Sequence, residues 1–564
     1  MKTETILDEY RRWIDFAVED ADITEELNCI ADDWEKIEDA FYRSLEFGTG
    51  GLRGVIGAGT NRMNIYTVAK ASQGLANYMK KQGGVTGIAI SYDSRIKSEL
   101  FARIASEVFA GNGIQVYLFD ELMPTPCLSF AVRQLKCSAG IMITASHNPA
   151  KYNGYKVYGA DGCQITTKVA SEILVEVENV DLFEGICRSG FDEAVAAGYI
   201  SFIVPEIIDA FIDAVKAQSV LGPNDLIDKE VSIVYTPLNG TGLKPVLRTL
   251  QESGFTNITV VKEQEQPNGN FPTCPYPNPE IHEAMALGIE YASRYDADLL
   301  LATDPDCDRV GIAVKDENGE YVLLSGNETG MLLFDYICSR RIANGMMPKN
   351  PLLVKTIVTT DMAERIASHY GVETKNMLTG FKFIGEQIGV LEAKGQCERF
   401  IFGFEESYGY LSGSYVRDKD AVNGAFLICE MFSYYKTKGI GLWEKLQELY
   451  MTYGYCLNTQ HSYAFEGVVG FQKMKEIMAL LREGVDDIGG RRVLEILDYS
   501  KGVDGLPKSD VLKFLLEKYC SVIVRPSGTE PKMKVYMSVC ADDINEASRI
   551  EGEMQESIEK FFSD

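Results

Sequence analysis

Histidine is scarce in this chain: His147, His282, His369 and His461 are the only four in 564 residues. Four dispersed imidazoles cannot build a histidine-rich zinc centre, so a bound metal would be a hard cation on oxygen ligands. Cysteine is present thirteen times but always singly, with no Cys-x-x-Cys pair. That usage fits reduced thiols acting as small apolar residues and sets the expectation of a cytoplasmic protein. No run of about 18 apolar residues occurs, so no membrane span is expected. The start, Met1 to Tyr10, is acidic and helix-like and lacks the basic and apolar regions of a signal peptide. Basic residues are also short, with 55 Lys and Arg against 82 Asp and Glu for a net charge of −27. This disfavours nucleic acid and anionic membranes as partners. An anionic substrate would need a local basic pocket set against the global field.

What the chain does have is length and an alternating pattern. An apolar share of 46 % over 564 residues supports several cores. The first 46 residues read as two amphipathic helices, followed by a glycine-dense loop from Gly48 to Gly54. Strand-like runs then alternate with helical periodicity at 97–110, 241–253, 282–294, 326–343 and 419–437. This predicts three consecutive α/β domains with mixed sheets, at 1–215, 216–325 and 326–438. A smaller α+β domain is expected over 439–564, the four surrounding a central cleft.

Four polar loops follow buried-looking strands, where open α/β sheets place ligand chemistry. Ala139 to Ile143 runs into Thr144-Ala145-Ser146-His147-Asn148-Pro149, which offers Ser146 as a hydroxyl nucleophile or phosphoryl carrier. In extended backbone His147 would point away from Ser146, so adjacency alone does not predict a Ser–His pair. Lys156 lies just beyond and can supply charge or a proton. Leu299 to Ala302 runs into Thr303-Asp304-Pro305-Asp306-Cys307-Asp308-Arg309. Alternate carboxylates in an extended loop share a face, so Asp304, Asp306 and Asp308 suit Mg²⁺, with Arg309 free for a phosphate. Gly403-Phe404-Glu405-Glu406-Ser407 offers carboxylates to sugar hydroxyls, or else caps a helix; Arg417 and Lys419 add cations downstream. Arg525-Pro526-Ser527-Gly528-Thr529 reads as an amide nest for phosphate.

These four loops, in this order, resemble the hallmarks of the α-D-phosphohexomutase superfamily, the phosphoglucomutases and phosphomannomutases. Asp304 to Arg309 and Gly380 to Gly385 are similar to the branch that holds phosphoglucomutase-2 and phosphopentomutase. The resemblance implies interconversion of glucose 1-phosphate and glucose 6-phosphate through a phosphoserine at Ser146. Glucose 1,6-bisphosphate would be the intermediate and activator. It also implies Mg²⁺ on Ser146, Asp304, Asp306 and Asp308, with Arg53, His147 and Lys156 assisting catalysis. Arg309, Thr379, Glu405, Ser407 and Lys419 would contact the sugar phosphate, and Arg525, Ser527, Gly528 and Thr529 its second phosphate. The implied partners are small sugar phosphates, and the implied assembly is a monomer or weak homodimer. Phe404 stands where many glucose-specific members have glycine. Pentose or mannose phosphates, or synthesis of the hexose bisphosphate, stay open as alternatives.

Overall fold

Three helices, not two, open the chain in this computed structural model, which describes residues 3–48, 50–465, 467–526 and 532–563. They are Thr3–Phe16, Ala21–Cys29 and Trp34–Phe41. The extra break comes from two aspartate caps: Asp20 accepts from the Asp22 amide and Asp33 from the Lys36 amide, each restarting a helix. The glycine-dense stretch is likewise no open loop but a hairpin, Phe47–Gly48 against Gly51–Val55. Gly51 has φ +140°, and a Cβ there would sit 1.8 Å from the Tyr155 carbonyl oxygen, so only glycine fits. This hairpin lays Arg53 opposite Gly154 on Tyr152–Gly159, the strand that carries Lys156.

The first sheet has seven strands, with a parallel centre of Ala139–Ile143, Ile88–Tyr92, Val116–Leu118 and Ile200–Phe202. Its antiparallel flank is Tyr152–Gly159 and the hairpin. The second sheet has five strands centred on Leu299–Thr303, which runs parallel to Ile233–Thr236 and antiparallel to Val310–Lys315. The third has four, with Leu352–Thr356 parallel to Phe400–Glu405 and an antiparallel edge at Gly409–Leu411. The fourth is a wholly antiparallel six-stranded sheet, Tyr455–Ala464 to Asp487–Ile488, with the helices Gly467–Glu483 and Ile544–Ser563. Three mixed α/β layers plus a terminal α+β unit is the expected fold class.

Apolar side chains tie the later layers into one core, from Phe211 and Leu299 through Leu353 and Phe402 to Ile523 and Tyr536. The helix Ala421–Thr437 is buried on nearly every face, as its all-round apolar sequence requires, and touches both the second and third sheets. No helix among the described residues is long and apolar enough to cross a membrane.

The terminal sheet docks through a buried charge. Asp361, before the helix Met362–Tyr370, takes Lys513 Nζ at 2.9 Å and Ser521 Oγ at 2.8 Å from the fourth sheet. The fully buried Lys355 approaches the same carboxylate at 3.5 Å. Asp361→Ala leaves the buried Lys513 without its counter-charge, Lys355 keeping Glu364 at 3.3 Å, and should cost about 3 kcal/mol. The expected result is an earlier first thermal transition, and an unchanged transition would show that docking does not rest on this carboxylate.

Candidate active site

Ser146 takes its position from the wholly buried strand Ala139–Ile143 and from a left-handed backbone, φ +53°. Its amide donates to Thr144 Oγ1 at 2.8 Å. The left-handed turn reverses the expectation from extended backbone, and Ser146 Oγ lies 3.1 Å from His147 Nδ1. The same hydroxyl donates to Asp304 Oδ2 at 3.1 Å across 158 residues of sequence. Burial, then Arg309 and Arg53 nearby, hold the His147 pKa well below its ordinary value, so the ring is neutral at pH 7.

A residue missed in the sequence straps this loop. Arg95 donates to the Ser146 carbonyl at 2.5 Å, to Asn148 O, and at 3.0 Å to both Pro149 O and Tyr152 O. Its counter-charge is Asp93 at 3.4 Å, both side chains fully buried. The signal was there, since Tyr92-Asp93-Ser94-Arg95 is another polar run straight after a buried strand, Ile88–Tyr92.

The acidic loop is a turn rather than an extended segment. Cys307 has φ +52°, its amide donates to Asp304 O at 2.9 Å, and Asp304 Oδ1 accepts the amides of Asp308 and Arg309, each at 3.0 Å. The turn still brings Asp304, Asp306 and Asp308 together, with one carboxylate oxygen from each inside 4.8 Å and all three buried. Lys156 Nζ meets Asp306 at 2.7 Å and Asp308 at 3.6 Å, and Lys419 Nζ meets Asp308 at 2.8 Å. Thr125, also unanticipated, donates both its hydroxyl and its amide to Asp306, each at 2.9 Å.

Burial, then Asp308 and Asp306, push the Asp304 carboxyl well above the usual range. Asp306 is held below that range, because Lys156 and Lys419 outweigh its burial. Asp306 Oδ1 and Asp308 Oδ1 have no hydrogen-bond partner, and Asp308 Oδ2 meets only the Lys419 and Lys156 ammonium groups. Buried anionic oxygens without donors, on residues of the hard-oxygen class, fit a divalent cation. Burial would lower the Lys156 and Lys419 pKa values, yet the surrounding aspartates raise both, so these are fixed cations rather than proton acceptors.

The third loop is not a helix cap but the end of Phe400–Glu405 turning into Gly409–Leu411. Glu405 Oε1 accepts the Gly380 amide at 3.0 Å, which puts Glu405 beside Thr379, whose buried hydroxyl has no partner. Glu406 accepts from Thr356 at 3.2 Å and Thr359 at 3.4 Å, and Ser407 lines a cavity with Glu280 and Tyr536. Phe404 is fully buried and turned from the site, its ring 5.5 Å from that of Phe402. Arg417 is also fully buried; it binds Glu392 at 2.8 Å and the Ser414 and Val416 carbonyls, so it is no ligand cation. Arg309 pairs with Glu280 and is largely buried, while Arg53 is open to solvent.

From the terminal sheet, Arg525 lies across from Lys534 and hydrogen-bonds Tyr536. Burial and Arg525 lower the Lys534 pKa, while Glu406 and Glu280 oppose that shift. The fourth sheet thus turns two cations toward the Glu405–Ser407 loop. Ser527, Gly528 and Thr529 lie outside the described residues.

Residues 44–183, 209–319 and 325–453 match the α/β/α domains I, II and III of the phosphoglucomutase/phosphomannomutase family. The phosphoglucomutase of Staphylococcus haemolyticus is 36 % identical over 91 % of this chain and 93 % of its own. That of Staphylococcus aureus USA300 is 37 % identical over 91 % and 92 %. The chain belongs to this family. Its fold is shared with parafusin, a phosphoglucomutase of Paramecium in an open form, at a TM-score of 0.69 and 17 % identity over 92 % of this chain and 96 % of that one. A family protein of Burkholderia thailandensis gives a TM-score of 0.68 at 17 % identity, over 92 % and 97 %.

Burial, then Glu406, with Lys419 and Arg309 opposing, leaves the Glu405 pKa raised to about 7. Its folded pKa lies above the ordinary one, so the carboxyl is neutral below that pH and accepts hydroxyl hydrogen bonds poorly there. KM for a sugar phosphate should rise roughly tenfold between about pH 8 and pH 6, and Glu405→Gln should flatten that dependence. A pH profile unchanged in the variant would assign the titration elsewhere.

Proposed function

We propose that this family member is a phosphoglucomutase that uses Ser146 as its phosphoryl carrier. The observation that carries the reading is the 3.1 Å contact of Ser146 Oγ with Asp304, inside a buried three-carboxylate cluster ringed by Lys156, Lys419 and Arg309. Asp304, Asp306 and Asp308 would hold Mg²⁺ together with the seryl phosphate, and the ion would supply charge neutralisation for the transferring group.

The phosphoryl group leaves Ser146 Oγ as the sugar hydroxyl attacks: the seryl P–O bond breaks, a sugar P–O bond forms, and the hydroxyl proton departs. His147 Nδ1 faces the seryl oxygen, so it serves that atom. The seryl oxygen takes up a proton as it leaves, and neutral His147 is placed to take it back when the freed Ser146 hydroxyl attacks the bisphosphate, while the sugar hydroxyl's proton passes to solvent. Lys156 and Arg53 stabilise the anion that passes between them. The resulting bisphosphate must present its other phosphate to the freed Ser146 oxygen. Glu405, Ser407 and Thr379 then hold sugar hydroxyls in either orientation, while Arg309, Lys419 and Arg525 hold the phosphate not in transfer. Ser527, Gly528 and Thr529 complete that subsite in the proposal.

Glucose is the preferred sugar in this reading, supported by the phosphoglucomutase relatives. Ser146→Ala should abolish conversion of glucose 1-phosphate with glucose 1,6-bisphosphate present. Asp306→Asn, or removal of divalent cations, should cost roughly 10²–10³-fold in kcat. Near-native turnover by Ser146→Ala would reject the carrier role. A higher kcat/KM for ribose or mannose 1-phosphate would move the substrate to that sugar.

A further inference from the structure

The proline- and asparagine-rich segment 266–279 has no part in the chemistry above, yet it ends on Glu280, the ion-pair partner of Arg309. We infer that Glu280 is a positioning residue that keeps the Arg309 guanidinium off the metal-binding carboxylates. The inference rests on the metal reading of the aspartate cluster.

Arg309 follows Asp308 directly in sequence, and its Nε stands 3.8 Å from Asp308 Oδ1. Asp308 Oδ1 and Asp306 Oδ1 accept no hydrogen bond, while Asp308 Oδ2 is held by the Lys419 ammonium at 2.8 Å. Arg309 Nε donates no hydrogen bond. A guanidinium with five donors, next to an unpartnered Asp308 Oδ1 and in the field of the same carboxylate cluster, would close on it and occupy the place of a cation. The competing pull comes from Glu280, which binds Nη1, while Nε is the atom nearest Asp308.

Glu280 can resist that collapse because its own backbone is fixed at several points. The Asn278 side chain accepts the Glu280 amide at 3.2 Å, and the Asn278 carbonyl accepts Ile281 N at 3.1 Å. Pro279 packs so closely on Gly311, two residues beyond Arg309, that a Cβ there would lie 2.9 Å from it. Upstream, the Asn239 side chain donates to Gln266 O at 2.8 Å, and the Phe271 ring lies 5.1 Å from the Arg95 guanidinium carbon. The segment that aims Arg309 therefore also leans on the arginine that straps the Ser146 loop.

The test is a double-mutant cycle on the full chain, with Mn²⁺ as the probe and its binding read by electron paramagnetic resonance, so that turnover is not needed. Glu280→Gln should weaken Mn²⁺ binding roughly fivefold or more, because the freed guanidinium competes for Asp308. In an Arg309→Gln background the same Glu280 change should alter binding by no more than about twofold. Glu280→Asp, with the charge kept, should recover part of the loss. Equal weakening in both backgrounds would mean that Glu280 acts only as a distant negative charge and would overturn the inference. Unchanged binding in Glu280→Gln, with the native chain binding Mn²⁺ normally, would overturn it alone. Failure of the native chain to bind Mn²⁺ would remove the metal reading and this inference together.

Discussion

Three carboxylates buried at the end of one strand are the constraint on which this molecule turns. Two unit charges about 4 Å apart repel by about 4 kcal/mol at an effective dielectric near 20, so the cluster around Asp304, Asp306 and Asp308 cannot stand uncompensated. Its compensation comes from elsewhere in the chain. Lys156 and Thr125 arrive from the first sheet layer, and Lys419 from the loop beyond the third. Each contact spans more than a hundred residues, so satisfying the acids also fixes how the layers meet. The cleft is the space left where these strand ends converge, and its charge pattern follows from the same need.

The sequence showed where chemistry sits better than how the backbone presents it. Strands, helices and the four polar loops were legible because apolar period and strand-end position are local signals. Two geometrical arguments assumed extended backbone: the one separating Ser146 from His147 failed, and the one gathering the three aspartates reached the right cluster by the wrong geometry. Ser146 and Cys307 adopt left-handed conformations instead, which turn Ser146 toward His147 and fold the aspartates around Asp304. Nothing in the residue types marks those positions, since neither is glycine, asparagine or aspartate. Arg95 was within reach of the strand-end rule. Thr125 was not, because its partner Asp306 lies 181 residues away. The same limit misplaced Arg417, whose charge reads as a ligand cation until the Glu392 contact is seen.

An acidic protein that handles anions needs its basic groups concentrated. Arg53, Lys156, Arg309, Lys419, Arg525 and Lys534 gather around one cleft in a chain of net charge −27. Low-dielectric walls strengthen such a local field at short range, while the surrounding negative surface repels anions elsewhere. The acids inside the cleft do not cancel this field. They fix the protonation of Lys156 and Lys419, and a divalent cation bound among them would offset their charge.

Fixed charge also bears on the proton. With Lys156 and Lys419 held protonated by aspartates, neither can cycle between acid and base near neutrality. His147 is the contrasting case, a buried imidazole kept neutral by desolvation and by the arginines around it. It touches the seryl oxygen, one of the two whose bonding changes in the proposed transfer. In the proposed mechanism electrostatic stabilisation and proton transfer fall to different side chains, separated by environment rather than by residue type alone. The left-handed turn at Ser146 is what joins them at one atom, because without it the hydroxyl could face the carboxylates but not the imidazole.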